Sequence, residues 1–438
     1  MSVQKILSRI PHLQVEGEGI PFLQESPASD EFHFDVKYVA RQPIFDAQKS
    51  LFGYELLFRS SSENRYTSTD PAKATTSVIS DTSFLHGLEN LAGGRKLFIN
   101  FPRELLSSGS ERFIPSDQLV IEIVEDIEPD QTVLDACRKM KQAGYTLALD
   151  DVTDLRRPAL FGDLIDIIKV DLPAIGPREQ AEMVRRYAPL GISLLAEKVE
   201  THQDFERLAR LGYKLFQGYF FSKPEMIARR DIPAYKWNYL RLLQAIYKPQ
   251  LDPRELECII KSEMALCYKL LRYLNSPVFG FRGEIRSVRH AITLLGEQKL
   301  KRWVTLLALA SMGKDKPEEL LISCLLRASW CESMAPKIGM KDREGDLFLL
   351  GLFSQIDAIL DRPMLEILDQ LPVAADIKES LAGADSKFTD VLRLVNTYEH
   401  VDFDRTEELA GILGIDRNSI PTGYLKDLDL AHEIHRLA

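Results

Sequence analysis

The sequence has few cysteines, no long apolar run and no excess of positive charge, and each absence excludes a class of proteins. The odd number of cysteines and the lack of a C-x-x-C pair favour buried thiols in a reducing cytoplasm over a disulfide framework. These residues are Cys137, Cys258, Cys267, Cys324 and Cys331. The longest apolar stretch, residues 303–312, is too short to span a bilayer. The first residues lack the apolar core of a signal peptide, so we expect a cytoplasmic protein without membrane insertion.

The charge balance is acidic, with a formal net charge of −10 at pH 7. Such a charge argues against electrostatic binding to nucleic acid or to an anionic membrane surface. The composition, 45% hydrophobic and 27% charged, is that of an ordinary globular protein. A chain of 438 residues exceeds the size of a single core, so two domains are expected.

The first half of the chain alternates short apolar runs with amphipathic helical segments. Residues 1–35, with scattered Pro, Gly and acidic side chains, are predicted to be an irregular leader. Helices are predicted over residues 71–91, 131–143, 178–187 and 202–211. The apolar runs, each with a polar residue near its end, are VKYVARQ, LFGYELLFR, KLFINF, LVIEIVE, TLALDD, DIIKVD, SLLAEKVE and KLFQGYFF.

This alternation predicts a parallel sheet, and eight runs favour a TIM-like α/β barrel over residues 36–228. The pattern alone leaves an open sheet as the alternative. Only the first two runs lack room for a helix between them, and residues 48–52 resemble a hairpin turn. We therefore expect this first pair of strands to be antiparallel.

From residue 235 onward the apolar spacing is helical, and no run is typical of a strand. Helices are predicted over residues 287–295, 297–311, 317–335, 342–360 and 387–398. A second, all-α domain is therefore placed at residues 235–438, within the usual size range of domains.

Polar side chains mark the ends of the predicted strands, which is where β/α barrels carry their functional residues. Oxygen ligands without His or Cys suit Mg²⁺ or Mn²⁺, and several carboxylates in one cavity need cations to offset their repulsion. Two such metals are a recurrent device for in-line hydrolysis of a phosphodiester, and a nearby lysine could orient the attacking water or neutralise phosphate charge. The residues are Glu55, Asn100, Glu122, Asp150, Asp151, Lys169, Glu197 and Gln217.

Each of these positions also has a purely structural interpretation, because an acid at a strand end is often a helix cap or a solvated loop residue. Asp151, for example, could cap the helix that follows it. The adjacent pair Asp150-Asp151, directly after the apolar TLAL, is harder to explain in this way. The ordered set therefore carries more weight than any single member.

The ordered motifs resemble the EAL family of cyclic di-GMP phosphodiesterases over residues 36–228. The matching segments are QPI, YELLFR, INF, EIVE, the Asp pair, KVD, AEKVE and QGY followed by SKP. The resemblance implies hydrolysis of cyclic di-GMP to the linear dinucleotide pGpG. It implies that Lys169 and Gln217 position the attacking water and the metal shell, and that Gln42 and Arg59 contact the dinucleotide. The metal positions that it implies are Glu55, Asn100, Glu122, Asp150 and Asp151, with Glu197 completing the pair of sites.

The sequence also departs from the family pattern around this ligand set. The signature is Glu-Leu-Leu rather than Glu-Ala-Leu, and Ser60 follows Arg59 where the family often has Trp. The Phe-Gly and Gly-rich loop after the Asp pair is replaced by residues 152–157, a shorter and stiffer segment. Lys198 stands where the family has Gly. Altered support around metal ligands can reduce activity by large factors.

The helical half resembles the HDOD domain, a relative of metal-dependent HD phosphohydrolases. The resemblance rests on LLRYLNS, on VRHAITLLG and on GLFS. Where an HD enzyme has its metal-binding His-Asp pair, this chain has Ser354-Gln355. His290, His432 and His435 are not arranged as a zinc site. We therefore expect this domain to bind a protein partner and no catalytic metal.

Three functions follow, in decreasing order of support. The first is a cyclic di-GMP phosphodiesterase with Mg²⁺ or Mn²⁺, regulated by the HDOD domain. The second is an inactive barrel that binds cyclic di-GMP or a protein as an adaptor, which residues 152–157 and Lys198 favour. The third, hydrolysis of another phosphodiester, rests on fold analogy alone. The resemblance is compatible with a homodimer.

Overall fold

The computed structural model describes residues 36–60, 92–223, 233–247, 253–262, 268, 287–371 and 373–437. The predicted leader 1–35 and the predicted helix 71–91 lie outside these residues. Within them, the chain forms a closed β-barrel followed by helices, as predicted. In the described part of the chain, no helix is both long and apolar enough to cross a membrane.

Each of the eight apolar runs forms a strand, and the strands follow one another around the barrel in sequence order. β1 is antiparallel to both of its neighbours, β2 and β8, and the remaining pairs are parallel. The predicted antiparallel first pair is thus confirmed. The strands are β1 Val36–Asp46, β2 Leu51–Ser60, β3 Lys96–Phe101, β4 Leu119–Ile123, β5 Thr146–Leu149, β6 Ile167–Asp171, β7 Ser193–Glu197 and β8 Leu215–Gln217.

A tight turn joins the first two strands. The Asp46 carboxylate accepts hydrogen bonds from the backbone N–H groups of Gln48 and Ser50, both at 2.8 Å. Aspartate commonly closes such turns by this local bonding. Because β1 runs in the opposite direction, its first residues lie beside the last residues of β2, with Val36 opposite Ser60. The start of β1 therefore lies at the same mouth of the barrel as the ends of β2 to β8.

The barrel helices begin and end near the predicted positions. The α-helices are α1 Arg103–Leu106, α2 Gln131–Gln142, α3 Pro177–Tyr187 and α4 His202–Leu211. The Asp130 carboxylate caps α2 by accepting the N–H of Val133, and the Thr201 hydroxyl caps α4 in the same way. These side chains satisfy donors that a helix start leaves without partners.

The described part of the second half contains helices and no strand. The predicted helix over 342–360 is two helices, because the chain turns at Ser354, whose hydroxyl bonds the Gly351 carbonyl at 2.7 Å. The helices are α5 Ala234–Ile246, α6 Pro253–Ser262, α7 Val288–Leu295, α8 Glu297–Met312, α9 Glu318–Met334, α10 Glu344–Phe353, α11 Ile356–Leu360, α12 Met364–Ile367, α13 Ala375–Leu381, α14 Lys387–Glu399, α15 Phe403–Leu413 and α16 Ser419–Leu437.

Helix α9 lies at the centre of this half, and it packs closely against α10 through Gly351. A Cβ added at Gly351 would lie 2.3 Å from the Arg327 carbonyl oxygen. Any side chain there would force the two helices apart, which explains the glycine of the GLFS motif. On another side of α9, Trp330 packs edge-on against Tyr398 of α14 and Tyr424 of α16.

One acidic residue in the helical core gives a testable effect of pH on stability. The pKa of the Asp427 carboxyl is raised to about 6, chiefly by burial and to a smaller extent by Glu332, although the Ser333 hydroxyl, Lys426 and Lys337 oppose the shift. The folded state thus retains a proton that the unfolded chain loses near pH 4, so stability falls as the pH rises from about 4 to about 6.

We expect Asp427→Asn to remove this penalty, since asparagine has the same shape and still accepts the hydrogen bond from Ser333. The variant should be about 2 kcal/mol more stable than the parent at pH 8, and the difference should vanish near pH 4. Urea unfolding at both pH values measures this. An equal difference at the two pH values would contradict the assignment to Asp427 ionisation.

Candidate active site

The strands place the predicted polar residues in the barrel interior at one mouth. Side chains of a strand alternate between two faces, so residues two apart point the same way. A layer of apolar side chains fills the barrel interior, and a polar residue follows two positions later on each parallel strand. The pairs are Phe98 and Asn100, Val120 and Glu122, Ala148 and Asp150, Ile167 and Lys169, Leu195 and Glu197, and Leu215 and Gln217.

The antiparallel strands β1 and β2 each add one polar residue to this mouth of the barrel. Glu55 lies on β2 directly opposite Gln42 on β1. On β1 the order is reversed, because Gln42 comes two residues before the interior residue Ile44. The antiparallel strand thus brings Gln42 to the same mouth as the ends of the parallel strands.

Four carboxylates converge on the ammonium group of Lys169, and we name these five residues the acidic cluster. The distances from Lys169 Nζ are 2.6 Å to Asp150, 2.7 Å to Glu122, 3.1 Å to Glu55 and 3.2 Å to Glu197. The lysine side chain is fully buried. The site therefore contains four carboxylates and a single ammonium group. Because all of them are buried, the excess of negative charge is poorly screened by solvent.

The imbalance shifts the pKa values of the buried groups. Burial, reinforced by Glu55, raises the pKa of Glu122 well above its ordinary value. Burial also raises the pKa of Glu197 to about 8, against the attraction of Lys169. Burial alone would lower the pKa of Lys169, but Asp150 and the other carboxylates raise it well above the usual range. The cluster therefore favours additional positive charge, whether protons or a metal ion.

The oxygen atoms of this site suit a hard divalent cation. Oxygens of Glu55, Glu122 and Asp150 lie within 4.8 Å of one another. Several buried oxygens have no hydrogen-bond partner within the described structure: Asn100 Oδ1, Glu122 Oε2, Glu197 Oε2 and Gln217 Oε1. Buried oxygens without partners are costly, and Mg²⁺ or Mn²⁺ with its ligand waters would satisfy them.

Asp151 lies at the edge of this site, in a second group of carboxylates with Asp150 and Glu125. Its backbone is left-handed, with φ of 43°, and burial with the charge of Asp150 raises its pKa. The segment before β6 contains only a short 3₁₀ turn, Arg157–Phe161, preceded by Arg156. The capping alternative for Asp151 is therefore wrong. Glu125 was absent from the predicted ligand set, although its spacing from Glu122 at a strand end could have indicated it.

The structure thus brings together nearly all of the predicted site residues. Gln217 Nε2 donates to Glu55 Oε2 at 2.7 Å and to Gln42 Oε1 at 2.9 Å, so Gln42 also belongs to the site. Arg59 lies on β2, but its side chain is outside the described part of the structure. The ligand and catalytic roles of all these residues stay predictions.

The segment over residues 152–157 is held in place by its neighbours. The Arg157 guanidinium donates to the carbonyl oxygens of Asp150, at 2.9 Å, and of Val124, at 2.6 Å. The Val152 N–H bonds the Lys169 carbonyl, and the Tyr187 hydroxyl donates to the Leu155 carbonyl at 2.5 Å. Arg157 therefore joins the ends of β4 and β5, a role that no sequence signal indicated.

Lys198 has a conformation in which glycine is favoured. Its φ is 58°, in the left-handed region, which accounts for the glycine that the family has at this position. The Lys198 ammonium lies 2.7 Å from Asp171 Oδ2, and this hydrogen bond raises the pKa of Lys198. The lysine thus points to the end of β6 beside the site.

In the helical half, an arginine lies beside the residues that replace the His-Asp pair. The Arg327 guanidinium donates to Ser354 Oγ at 3.2 Å and to Glu399 Oε2 at 2.5 Å. Cys324 Sγ lies 3.6 Å from Gln355 Oε1. Among the described helices, no three side chains are grouped as metal ligands. His290 is exposed, and His435 pairs with Glu318 at 2.8 Å.

Comparison with known proteins identifies both halves. A family model described as the EAL domain matches residues 93–224, and one described as the HDOD domain matches residues 232–396. The chain is 33% identical over 407 residues to the uncharacterized protein YuxH of Bacillus subtilis, covering 91% of this chain and 98% of that protein. It is 32% identical over 421 residues to the cyclic di-GMP phosphodiesterase CdgJ of Vibrio cholerae, and the match covers 95% of this chain and 97% of that protein.

Among solved structures, a complex of BlrP1 from Klebsiella pneumoniae with calcium and cyclic di-GMP is 25% identical to this chain. That match covers 43% of this chain and 55% of the other, with a TM-score of 0.36.

Proposed function

Because this chain belongs to the family of proteins that join an EAL domain to an HDOD domain, we propose that its barrel hydrolyses cyclic di-GMP to pGpG. The cofactor would be Mg²⁺ or Mn²⁺, and the helical half would regulate the reaction. The Vibrio cholerae relative is a cyclic di-GMP phosphodiesterase and aligns along nearly the whole chain, which supports this substrate. The convergence of four buried carboxylates and a lysine at the barrel mouth is the observation that carries the proposal.

Each residue of the site has a chemical task in this reaction. Divalent cations at the site would activate water and offset the charge on the phosphoryl oxygens. Glu55, Asn100, Glu122, Asp150 and Asp151 would hold them. Lys169 and Gln217 would orient the attacking water, and Glu197 would complete the pair of metal sites, since its carboxylate lies in the same acidic cluster. Gln42 and Arg59 would bind the dinucleotide.

A regulatory role of the helical half is supported by its packing against β1 and β2, next to the residues of the site. The Arg41 guanidinium lies 4.0 Å from the centroid of the Tyr54 ring and 3.3 Å from Glu319 Oε1 of α9. The Tyr54 hydroxyl donates to Glu319 Oε2 at 2.6 Å. Arg41 directly precedes Gln42 on β1, and Tyr54 directly precedes Glu55 on β2. A movement of α9 would therefore displace both strands next to residues of the site.

Incubation of the purified full-length protein with cyclic di-GMP and Mn²⁺ tests the proposal. Chromatography should show pGpG appearing as cyclic di-GMP disappears, and EDTA should stop the reaction. The same assay on a protein with Glu122→Gln should show no product. If Mg²⁺, Mn²⁺ and other divalent ions all fail to yield pGpG, with and without the helical half, the hydrolytic function is wrong.

The second candidate is an adaptor that binds cyclic di-GMP or a protein without turnover. The specific observation in its favour is that Lys169 already neutralises part of the charge of the predicted ligands, while Arg157 hydrogen-bonds the carbonyl oxygens of Asp150 and Val124 beside the site. An adaptor would bind cyclic di-GMP or its partner equally well in the parent and in Glu122→Gln. In either case, we expect the helical half to bind no catalytic metal.

Substitution of Lys198 tests whether the departures from the family pattern lower the rate of hydrolysis at the site. We expect Lys198→Gly to raise hydrolysis several-fold, because the change frees Asp171 at the end of β6 and removes a positive charge beside Glu197. Thermal stability should change little, because the Lys198 side chain is 57% exposed, which weakens its ion pair, and because glycine relieves the left-handed backbone. Initial rates and melting temperatures measure both effects. Lys198→Ala also removes the charge but keeps a side chain on the left-handed backbone, so it should raise hydrolysis as far as Lys198→Gly while having the lower melting temperature. Unchanged hydrolysis in both variants would show that Lys198 does not restrain the site.

A further inference from the structure

Asp151 has an uncommon backbone conformation that hydrogen bonds on both sides hold in place. Its φ is 43°, in the left-handed region that residues other than glycine rarely adopt. Before it, the Asp150 N–H donates to the Ile123 carbonyl of β4 at 3.0 Å. After it, the Val152 N–H donates to the Lys169 carbonyl of β6 at 2.9 Å. The backbone of the aspartate pair, which supplies two of the predicted metal ligands, is therefore attached to the strands on either side of β5.

Arg157 adds a further restraint beyond the point where the pairing of β4 and β5 ends. The last paired residues of these strands are Ile123 and Leu149. One residue further along each strand, the Arg157 guanidinium donates to two carbonyl oxygens, that of Asp150 at 2.9 Å and that of Val124 at 2.6 Å. A guanidinium holds its donors in a rigid fork, so this bridge restrains the separation of the two strand ends.

The bridge lies beside the carboxylates of Glu125, Asp150 and Asp151, which we name the second carboxylate group. Val124 directly precedes Glu125, just as Asp150 directly precedes Asp151. Oxygens of the three side chains lie within 4.8 Å of one another. Separation of the two strand ends would move Glu125 away from the aspartates. The bridge from Arg157 therefore keeps these oxygens close enough to share one cation.

A tight turn in the short segment after the aspartate pair brings Arg157 back to this position. The Asp154 carboxylate accepts the Arg156 N–H at 2.9 Å, and the Asp154 carbonyl accepts the Arg157 N–H at 3.3 Å. Aspartate commonly closes turns by such local bonding. In the 3₁₀ turn that follows, Pro158 and Phe161 are buried and attach the segment to the core of the barrel.

Arg157 has two opposite effects on a cation bound by the second carboxylate group. Its bridge holds the ligand oxygens in place, whereas its own positive charge repels the ion. The guanidinium directs N–H groups to two carbonyl oxygens, which offset part of this charge, and the three carboxylates outweigh the rest. We therefore expect the effect of the bridge to be the larger one.

We propose that Arg157 is a positioning residue that holds Asp151 and its neighbouring carboxylates in place for the second of the two predicted metal ions. The inference rests on the proposed function of the barrel. It gives a task to residues 152–157, the segment whose sequence departs from the family pattern.

Mn²⁺ titrations of the full-length protein, followed by electron paramagnetic resonance, count the bound ions and measure the affinity of each. Asp151→Asn identifies the ion that depends on Asp151, and asparagine tolerates the left-handed backbone. Arg157→Lys keeps the charge but lacks the fork that reaches both carbonyl oxygens. Arg207→Lys is the matched control, because the Arg207 guanidinium also bridges two groups of the barrel, Gln180 Oε1 at 2.8 Å and Asp204 Oδ1 at 3.4 Å.

We expect Arg157→Lys to weaken binding of the Asp151-dependent ion about ten- to hundredfold, the range for groups that hold metal ligands in place. The other ion should be affected less than about threefold, both in this variant and when Arg157→Lys is combined with Asp151→Asn. Arg207→Lys should leave both affinities within about twofold of the parent.

Two results would overturn the role of Arg157 and leave the proposed function intact. One is an unchanged or higher affinity for the Asp151-dependent ion in Arg157→Lys, and the other is an equal loss in Arg207→Lys. A parent protein that binds a single Mn²⁺ would also overturn the inference. A parent that binds no Mn²⁺ would remove the proposed function as well.

Discussion

Replacing Glu55 by alanine is expected to lower metal-dependent hydrolysis of cyclic di-GMP by at least about two orders of magnitude. Glu55 supplies one oxygen of the group that lies within 4.8 Å at the barrel mouth, so its loss removes a predicted metal ligand. Folding should survive, because the change also removes one of four carboxylates that repel one another. Initial rates and Mn²⁺ affinity measure the effect.

Glu128→Ala provides the control for this experiment. Glu128 is an exposed carboxylate in the segment after β4, outside both groups of potential metal ligands. It changes the net charge by the same amount and should leave hydrolysis within about twofold of the parent, as surface substitutions away from a site do. If Glu55→Ala retained the activity of the Glu128→Ala protein, Glu55 would not be a metal ligand.

Replacing Lys169 by methionine is expected to destabilise the metal-free protein by about 3–5 kcal/mol, because a buried cation is lost from among four carboxylates. Methionine fills a similar volume, so the loss is electrostatic rather than a cavity effect. Mn²⁺ should restore much of the stability, since it supplies the missing positive charge. Urea unfolding in EDTA and in Mn²⁺ measures both quantities at one pH.

Lys214→Met, at an exposed lysine just before β8, is the matched control and should have nearly the parent stability in both solutions. A Lys169→Met protein that Mn²⁺ stabilises no more than the parent would show that Lys169 and the metal do not share the same carboxylates. Hydrolysis should fall in this variant even when Mn²⁺ restores the fold, because Lys169 is the residue that we propose to orient the attacking water.

Much of the barrel could be predicted because its signals are local. The period-two alternation that places Val120 inside the barrel also places Glu122 there, and the same rule holds for Leu195 and Glu197. The missing room for a helix between β1 and β2 predicted their antiparallel pairing. The broken helix near Ser354 was missed because a hydroxyl competing for a backbone carbonyl leaves no trace in the apolar spacing.

The sequence by itself determined the strand order, the two halves and the set of polar residues at the barrel mouth, because periodicity and order are properties of the chain. Only the tertiary structure decided how these residues interact. Lys169 contacts four carboxylates that lie on or directly after four other strands, and the Tyr219 hydroxyl donates to the carbonyl of Glu399 at the end of α14, 180 residues later. Such contacts depend on how barrel closure and helix packing orient side chains in space, and no local spacing encodes that.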